Sequence, residues 1–129
     1  MRRGDQVTHD RQHGSTTLML ADAIAKAGKG ERVLVMAAHQ AQVRQLLATT
    51  MQMLRVEEPE RLWMAGLDHI GVGNGTIKFI SASETTKLRG SHGPLLVDHY
   101  AMQSGLHHWT EDELAFVRER MRQAQGGPP

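Results

Sequence analysis

The chain predicts a single α/β domain: three layers, a mainly parallel sheet of about four or five strands with helices on both faces, and one antiparallel β-hairpin. Three observations predict it. Short valine- and leucine-rich runs at residues 33–37 and 94–98 alternate with longer segments of helical character, as in βα units. The first is continuously apolar, the mark of a strand buried on two faces, and the second is apolar up to its closing acid, Asp98. An Asn74-Gly75 pair between two apolar segments marks the hairpin.

Taken in order, residues 18–27 are rich in alanine and leucine and stop at Gly28-Lys29-Gly30, a helix followed by its terminator. Residues 31–37 read as a buried strand. A second helix over about 40–54 gathers Val43, Leu46, Leu47, Met51 and Leu54 near one face. Pro59 fits the first turn of a short third helix ending before Gly66. Residues 67–72 and 76–82 form the hairpin arms, and a polar loop, 83–93, leads to the strand at 94–98. Thr110-Glu111-Asp112-Glu113 is a capping box opening the last helix, 110–125, with Trp109 and Leu114 placed as its hydrophobic staple. On that helix Arg118, Arg120 and Arg122 alternate with Glu111, Glu113 and Glu119, the pattern of a solvated face.

At 129 residues the chain makes one domain, 1–129, with a proper core and no linker. A net charge of +1 with neutral histidines rules out a global basic field or an acidic nucleic-acid mimic. Without cysteine there is no thiolate nucleophile and no Cys-ligated zinc. No apolar run follows Met1-Arg2-Arg3-Gly4-Asp5 and none approaches about 18 residues, so a cytoplasmic protein with no membrane partner is expected.

The chemistry concentrates at residues 10–17. Arg11, Gln12, His13, Gly14, Ser15, Thr16 and Thr17, just before the first helix, read as a phosphate-binding loop bending at Gly14. Backbone amides at such a turn converge on phosphate oxygens, and a Ser/Thr hydroxyl holds Mg²⁺. Two marks of the full pattern are missing: Ser15 holds the lysine position, and His9 replaces the first glycine. A Ser/Thr cap on an N-terminal loop explains the stretch equally well. A second mark is Leu95-Leu96-Val97-Asp98, an apolar strand ending in the kind of carboxylate that holds Mg²⁺ in P-loop enzymes. Crossovers in a parallel sheet bring the segments 11–17, 38–40 and 98–100 to one edge, where open α/β sheets bind ligands.

In this order the motifs resemble the ATPase core shared by phage large terminases and superfamily-two helicases, over roughly residues 5–103. Residues 10–17 look like the R-Q-x-G-K-[ST] phosphate loop of terminases, and 37–42 like the motif near the DNA path. The segment from the hairpin through Leu88-Arg89-Gly90 to Asp98 is similar to the lead-in to the metal-binding acid. The resemblance implies a truncated P-loop NTPase-like fold with ATP and Mg²⁺ as ligands, Thr16 and Asp98 at the metal, and His39 and Gln40 toward DNA. Arg44 and Arg89, from a basic edge that also takes in Arg2, Arg3 and Arg11, are further candidate nucleic-acid contacts.

The departures are as informative. Residues 95–99 make a degenerate Walker B-like strand end, because His99 stands where the family has the glutamate that orients water. Losing that carboxylate and the phosphate-clamping lysine removes several kcal/mol of transition-state stabilisation. The expectation is therefore a hydrolysis-deficient protein of phage or mobile-element type. It would bind a nucleotide, DNA, or a host or phage protein of DNA processing or defence. The alternative is a working Mg²⁺-dependent ATPase, with Arg11 replacing the lysine and His99 as catalytic base. The eight histidines lack metalloprotease spacing and read as solvated side chains. Methionines such as Met51 and Met53 read as adaptable core filler, and no serine sits in a nucleophile elbow.

Overall fold

Strand β1 (Arg32–Ala37) is the centre of the molecule, buried from Val33 onward because it is sandwiched on both faces. The computed structural model describes residues 3–125, with side chains from residue 14 onward. Strands β4 (Gly75–Ser81) and β5 (Leu95–Val97) pair with β1 on either side, both parallel to it. Beyond β4 the sheet continues antiparallel through β3 (His69–Val72) to β2 (Leu62–Gly66), giving the order β2-β3-β4-β1-β5.

Helices cover the two faces. On one, α1 (Arg3–Gly28) presents Leu20, Ala23, Ile24 and Ala27, a stripe at helical spacing, to Val33, Val35, Ile77 and Phe79. Helix α2 (Gln40–Glu57) adds Val43, Leu46 and Leu54 to the same core. On the other face, α3 (His99–His108) and α4 (Glu111–Ala124) bring Ala101 and Val117 onto Leu34, Met36, Ile80 and Leu95. No helix among the described residues is long and apolar enough to cross a membrane.

Four expectations are corrected. The sheet is mixed rather than mainly parallel, because β2, β3 and β4 form an antiparallel meander instead of one hairpin. The helix expected after Pro59 is only a single turn, Pro59–Arg61, and Leu62-Trp63-Met64 pairs with β3 instead. Apolar and aromatic side chains there gain more from cross-strand packing than from a helix too short to bury a face. Residues 10–17 are not a loop: they belong to α1, which is helical from Arg3 to Gly28. Finally α3 follows Asp98 directly, where only a strand end was expected; its buried side is made of Ala101 and Gly105, residues too small to announce themselves.

Glycine at two positions lets elements approach closely. A Cβ on Gly75 would lie 1.9 Å from the Ala27 carbonyl oxygen, so the end of α1 rests directly on the start of β4. Gly93, at φ +109°, brings the chain equally close to the Arg32 carbonyl before β5 begins.

The last helix is not uniformly solvated. Arg118 and Arg122 are exposed, whereas Arg120 is buried and donates to the carbonyls of Leu88 (2.9 Å) and Gly93 (2.7 Å), stitching α4 to the segment before β5. Burial lowers its pKa from the ordinary arginine value. Replacing Arg120 with methionine leaves those carbonyls without a charged donor and should cost about 2 kcal/mol in urea unfolding. Arg118→Met, on the exposed side, should stay within about 0.5 kcal/mol of the parent.

Candidate functional site

Parallel strands end together, so whatever follows β1, β4 and β5 gathers at one edge of the sheet. Asp98, the first residue after β5, lies there and is 1% exposed. Its Oδ1 accepts a hydrogen bond from the Thr16 hydroxyl of α1 at 3.0 Å, across 82 residues of sequence. Its Oδ2 accepts from the Gln42 side-chain amide of α2 at 2.8 Å and from the Tyr100 backbone N–H at 3.1 Å, which caps α3. Gln42 in turn takes the Ala38 N–H on its Oε1 at 2.6 Å. One carboxylate therefore ties three helices to the end of the sheet.

The local reasons are simple. Asp at an N-cap satisfies an orphan helix amide, so the residue that ends β5 also starts α3. His39 does the same for α2, its Nδ1 accepting the Gln42 N–H at 3.3 Å. Gln42 occupies the third helical position, where a capping box has Glu or Gln, but its side chain reaches Ala38 rather than the cap residue. That spacing was the signal for Gln42, which sequence reasoning missed.

A second polar group lies beside it. Glu84, after β4, accepts from the Gln40 side chain (3.2 Å) and the Ser81 N–H (2.9 Å) and pairs with Lys87 (2.6 Å). Partial burial pushes its pKa up, but the Lys87 bond and charge and the Ser81 hydrogen bonds outweigh it and hold the carboxyl below 4.5.

Of the residues expected at the site, Thr16 and Asp98 touch, and the segments 38–42 and 98–100 meet beside them. Thr17 joins Thr16, Gln42, Thr49 and Tyr100 in lining a groove of about 470 Å³ between α1 and α2. Gly14 and Ser15 directly precede Thr16 in α1, and Ser15 is exposed beside Leu96 and Val97 at the outer edge of β5. The side chains of Arg11, Gln12 and His13 lie outside the described residues. His99 is exposed, its ring edge-on to Tyr100 at 5.4 Å. Arg44 is exposed on α2, near His39 and Gln40, whereas Arg89 sits over the Phe116 ring of α4 at 5.7 Å. The four residues expected toward DNA thus divide between the start of α2 and the flank of α4.

Chemically, a hydroxyl beside a carboxylate suits a hard cation such as Mg²⁺, which takes one or two carboxylates and fills its other positions with water and phosphate oxygens. Thr16 and Asp98 would hold it. The amide cradle is a different matter: residues 14–17 are interior to a helix, where each N–H bonds to the carbonyl four residues back. Among the described residues no cluster of three or more His, Asp or Glu forms a metal site of its own. Set against protein-family models, curated proteins and solved structures, the chain gives no match.

Two outcomes follow from this geometry. Asp98→Ala leaves Thr16 and Gln42 without their acceptor and α3 without its cap, and should cost about 3 kcal/mol of stability by chemical denaturation. Glu84 is ionised more readily folded than unfolded, so its contribution is present above pH 4.5 and lost as the pH falls through its depressed value. The stability difference between Glu84→Gln and the parent, measured by urea unfolding, should accordingly shrink from about pH 7 to about pH 3.

Proposed function

We propose that the chain is a degenerate P-loop-type protein of phage or mobile-element character that binds a nucleotide beside Thr16 and Asp98 and has lost efficient hydrolysis. The hydrogen bond between Thr16 and Asp98 carries this reading. These are the two residues that the phosphate-loop and strand-end motifs would place around Mg²⁺, and nothing local in the sequence requires them to meet.

The adjoining groove, with Thr16, Thr17, Gln42 and Tyr100 on its walls, has a volume in the range of small-molecule sites. Against turnover stand Ser15 in place of the clamping lysine, His99 in place of the water-orienting glutamate, and amides committed to α1. The glutamate belongs to the transition state, whereas the lysine and the amides also hold phosphate in the ground state, so binding here rests on Mg²⁺ at Thr16 and Asp98 and on the groove walls. A protein so altered acts as a nucleotide-responsive binding partner in DNA processing or defence.

Calorimetric titration with ATP and ADP, with and without Mg²⁺, followed by a phosphate-release assay, tests the reading. Binding strengthened by Mg²⁺, weakened about tenfold by Thr16→Val and accompanied by no phosphate release is the expected result. Absence of binding at about millimolar nucleotide would reject it. Phosphate release abolished by Asp98→Asn would replace it with a working ATPase.

A further inference from the structure

At the opposite end of the strands one sheet face is only half covered. The two carboxyl-terminal helices pack over Leu34, Met36, Ile80 and Leu95, and the face beyond those residues carries polar and aromatic side chains. Pairing register places Trp63, Gly71, Thr76 and Arg32 in one row across β2, β3, β4 and β1. The next row holds His69 and Lys78 and runs on to Leu34, which the helices cover. Opposite residues of paired strands share a face, so both rows present one surface about 14 Å across.

Three features of that surface point to a ligand. Trp63 is 46% exposed, and its ring passes over Gly71 so closely that a Cβ there would lie 1.9 Å from the indole. The indole N–H donates to the Gly73 carbonyl at 2.9 Å, which fixes the ring and leaves its outer side to solvent. Beside it a groove of about 360 Å³ is lined by Arg32, His69, Thr76, Lys78, Ser91 and His92, without a carboxylate. Arg32 and Lys78 are both exposed, and neither forms an ion pair with a carboxylate among the described residues. The field of this cluster is felt locally: burial first, then Lys78 and Arg32, lower the pKa of His69, and no acid offsets them.

We propose that this face binds single-stranded nucleic acid, with a base stacked on Trp63 and the phosphodiester backbone crossing Lys78 and Arg32. Cations with no acidic partner call for an anionic ligand, and a fixed indole in register with them calls for one that carries planar rings at intervals. Single-stranded nucleic acid supplies both, whereas in a duplex the bases are stacked on one another and unavailable to the indole. The surface lies away from Asp98, at the amino-terminal end of β1, so the inference does not rest on the nucleotide reading.

Fluorescence anisotropy of a labelled oligothymidylate of about 12 nucleotides, without added nucleotide, tests it. Two phosphate contacts give log Kd against log salt a slope of about 1.4 in magnitude, and Arg32→Gln or Lys78→Gln should each lower that by about 0.7. Trp63→Ala should weaken binding about tenfold and Trp63→Phe much less. Because the indole also bonds Gly73, the two charge variants, both at exposed positions, keep the test valid if Trp63→Ala fails to fold. No binding at low salt overturns the proposal, as does an affinity indifferent to the Arg32→Gln/Lys78→Gln pair. Duplex DNA bound as well as the single strand, or polyphosphate competing as well as the oligonucleotide at equal charge, would also overturn it, leaving a general polyanion surface.

Discussion

A buried carboxylate needs partners for its charge, and that requirement organises one end of this molecule. Asp98 meets it with the Thr16 hydroxyl, the Gln42 amide and the Tyr100 N–H of α3, each from a different helix. Removing water from a carboxylate costs several kcal/mol unless hydrogen bonds replace the lost solvation. The helices are therefore constrained relative to β5 by the same bonds that stabilise the charge. Because each donor comes from a different element, the arrangement fixes α1, α2 and α3 together rather than any one alone.

The opposite end is built differently. Where β2 and β3 extend the sheet beyond its parallel centre, helices cover one face, and the other is finished by Trp63 lying across Gly71. An antiparallel extension tolerates a wet face in a way the parallel centre does not. The molecule thus has a sealed core around β1, one polar edge where the parallel strands end, and one cationic, aromatic-bearing face where they begin. The two surfaces differ in chemistry: a hydroxyl and a carboxylate at the first, two exposed cations and an indole at the second.

Much of the fold can be read along the chain wherever the deciding interactions are local or repetitive. Continuous apolar runs locate β1 and β5, Asn74-Gly75 locates the β3–β4 turn, and Thr110 with Glu113 starts α4, where both halves of the capping box form. The misreadings share a cause. Pro59 and the polar residues after it look helical, but Leu62-Trp63-Met64 is drawn into the sheet by β3, a partner the segment itself does not announce. Arg120 has the spacing of a solvated residue, and only the fold brings the carbonyls of Leu88 and Gly93 within its reach. At the site, Thr16 and Asp98 were singled out by motif, whereas Gln42 and Glu84 owe their place to contacts between segments distant in sequence.

By itself the sequence determined the α/β class, the buried central strand, the caps of the last helix and the residues with chemistry to offer. Those follow from periodicity, turn propensity and side-chain type, which are properties of neighbouring residues. The tertiary structure alone decided that residues 10–17 run on as helix, that the sheet is mixed, that Gln42 joins Thr16 on Asp98, and that Trp63, Lys78 and Arg32 share a face. The physical reason is that strand order and register are set by which apolar faces bury best together, a choice made across the whole chain and written in no single stretch of it.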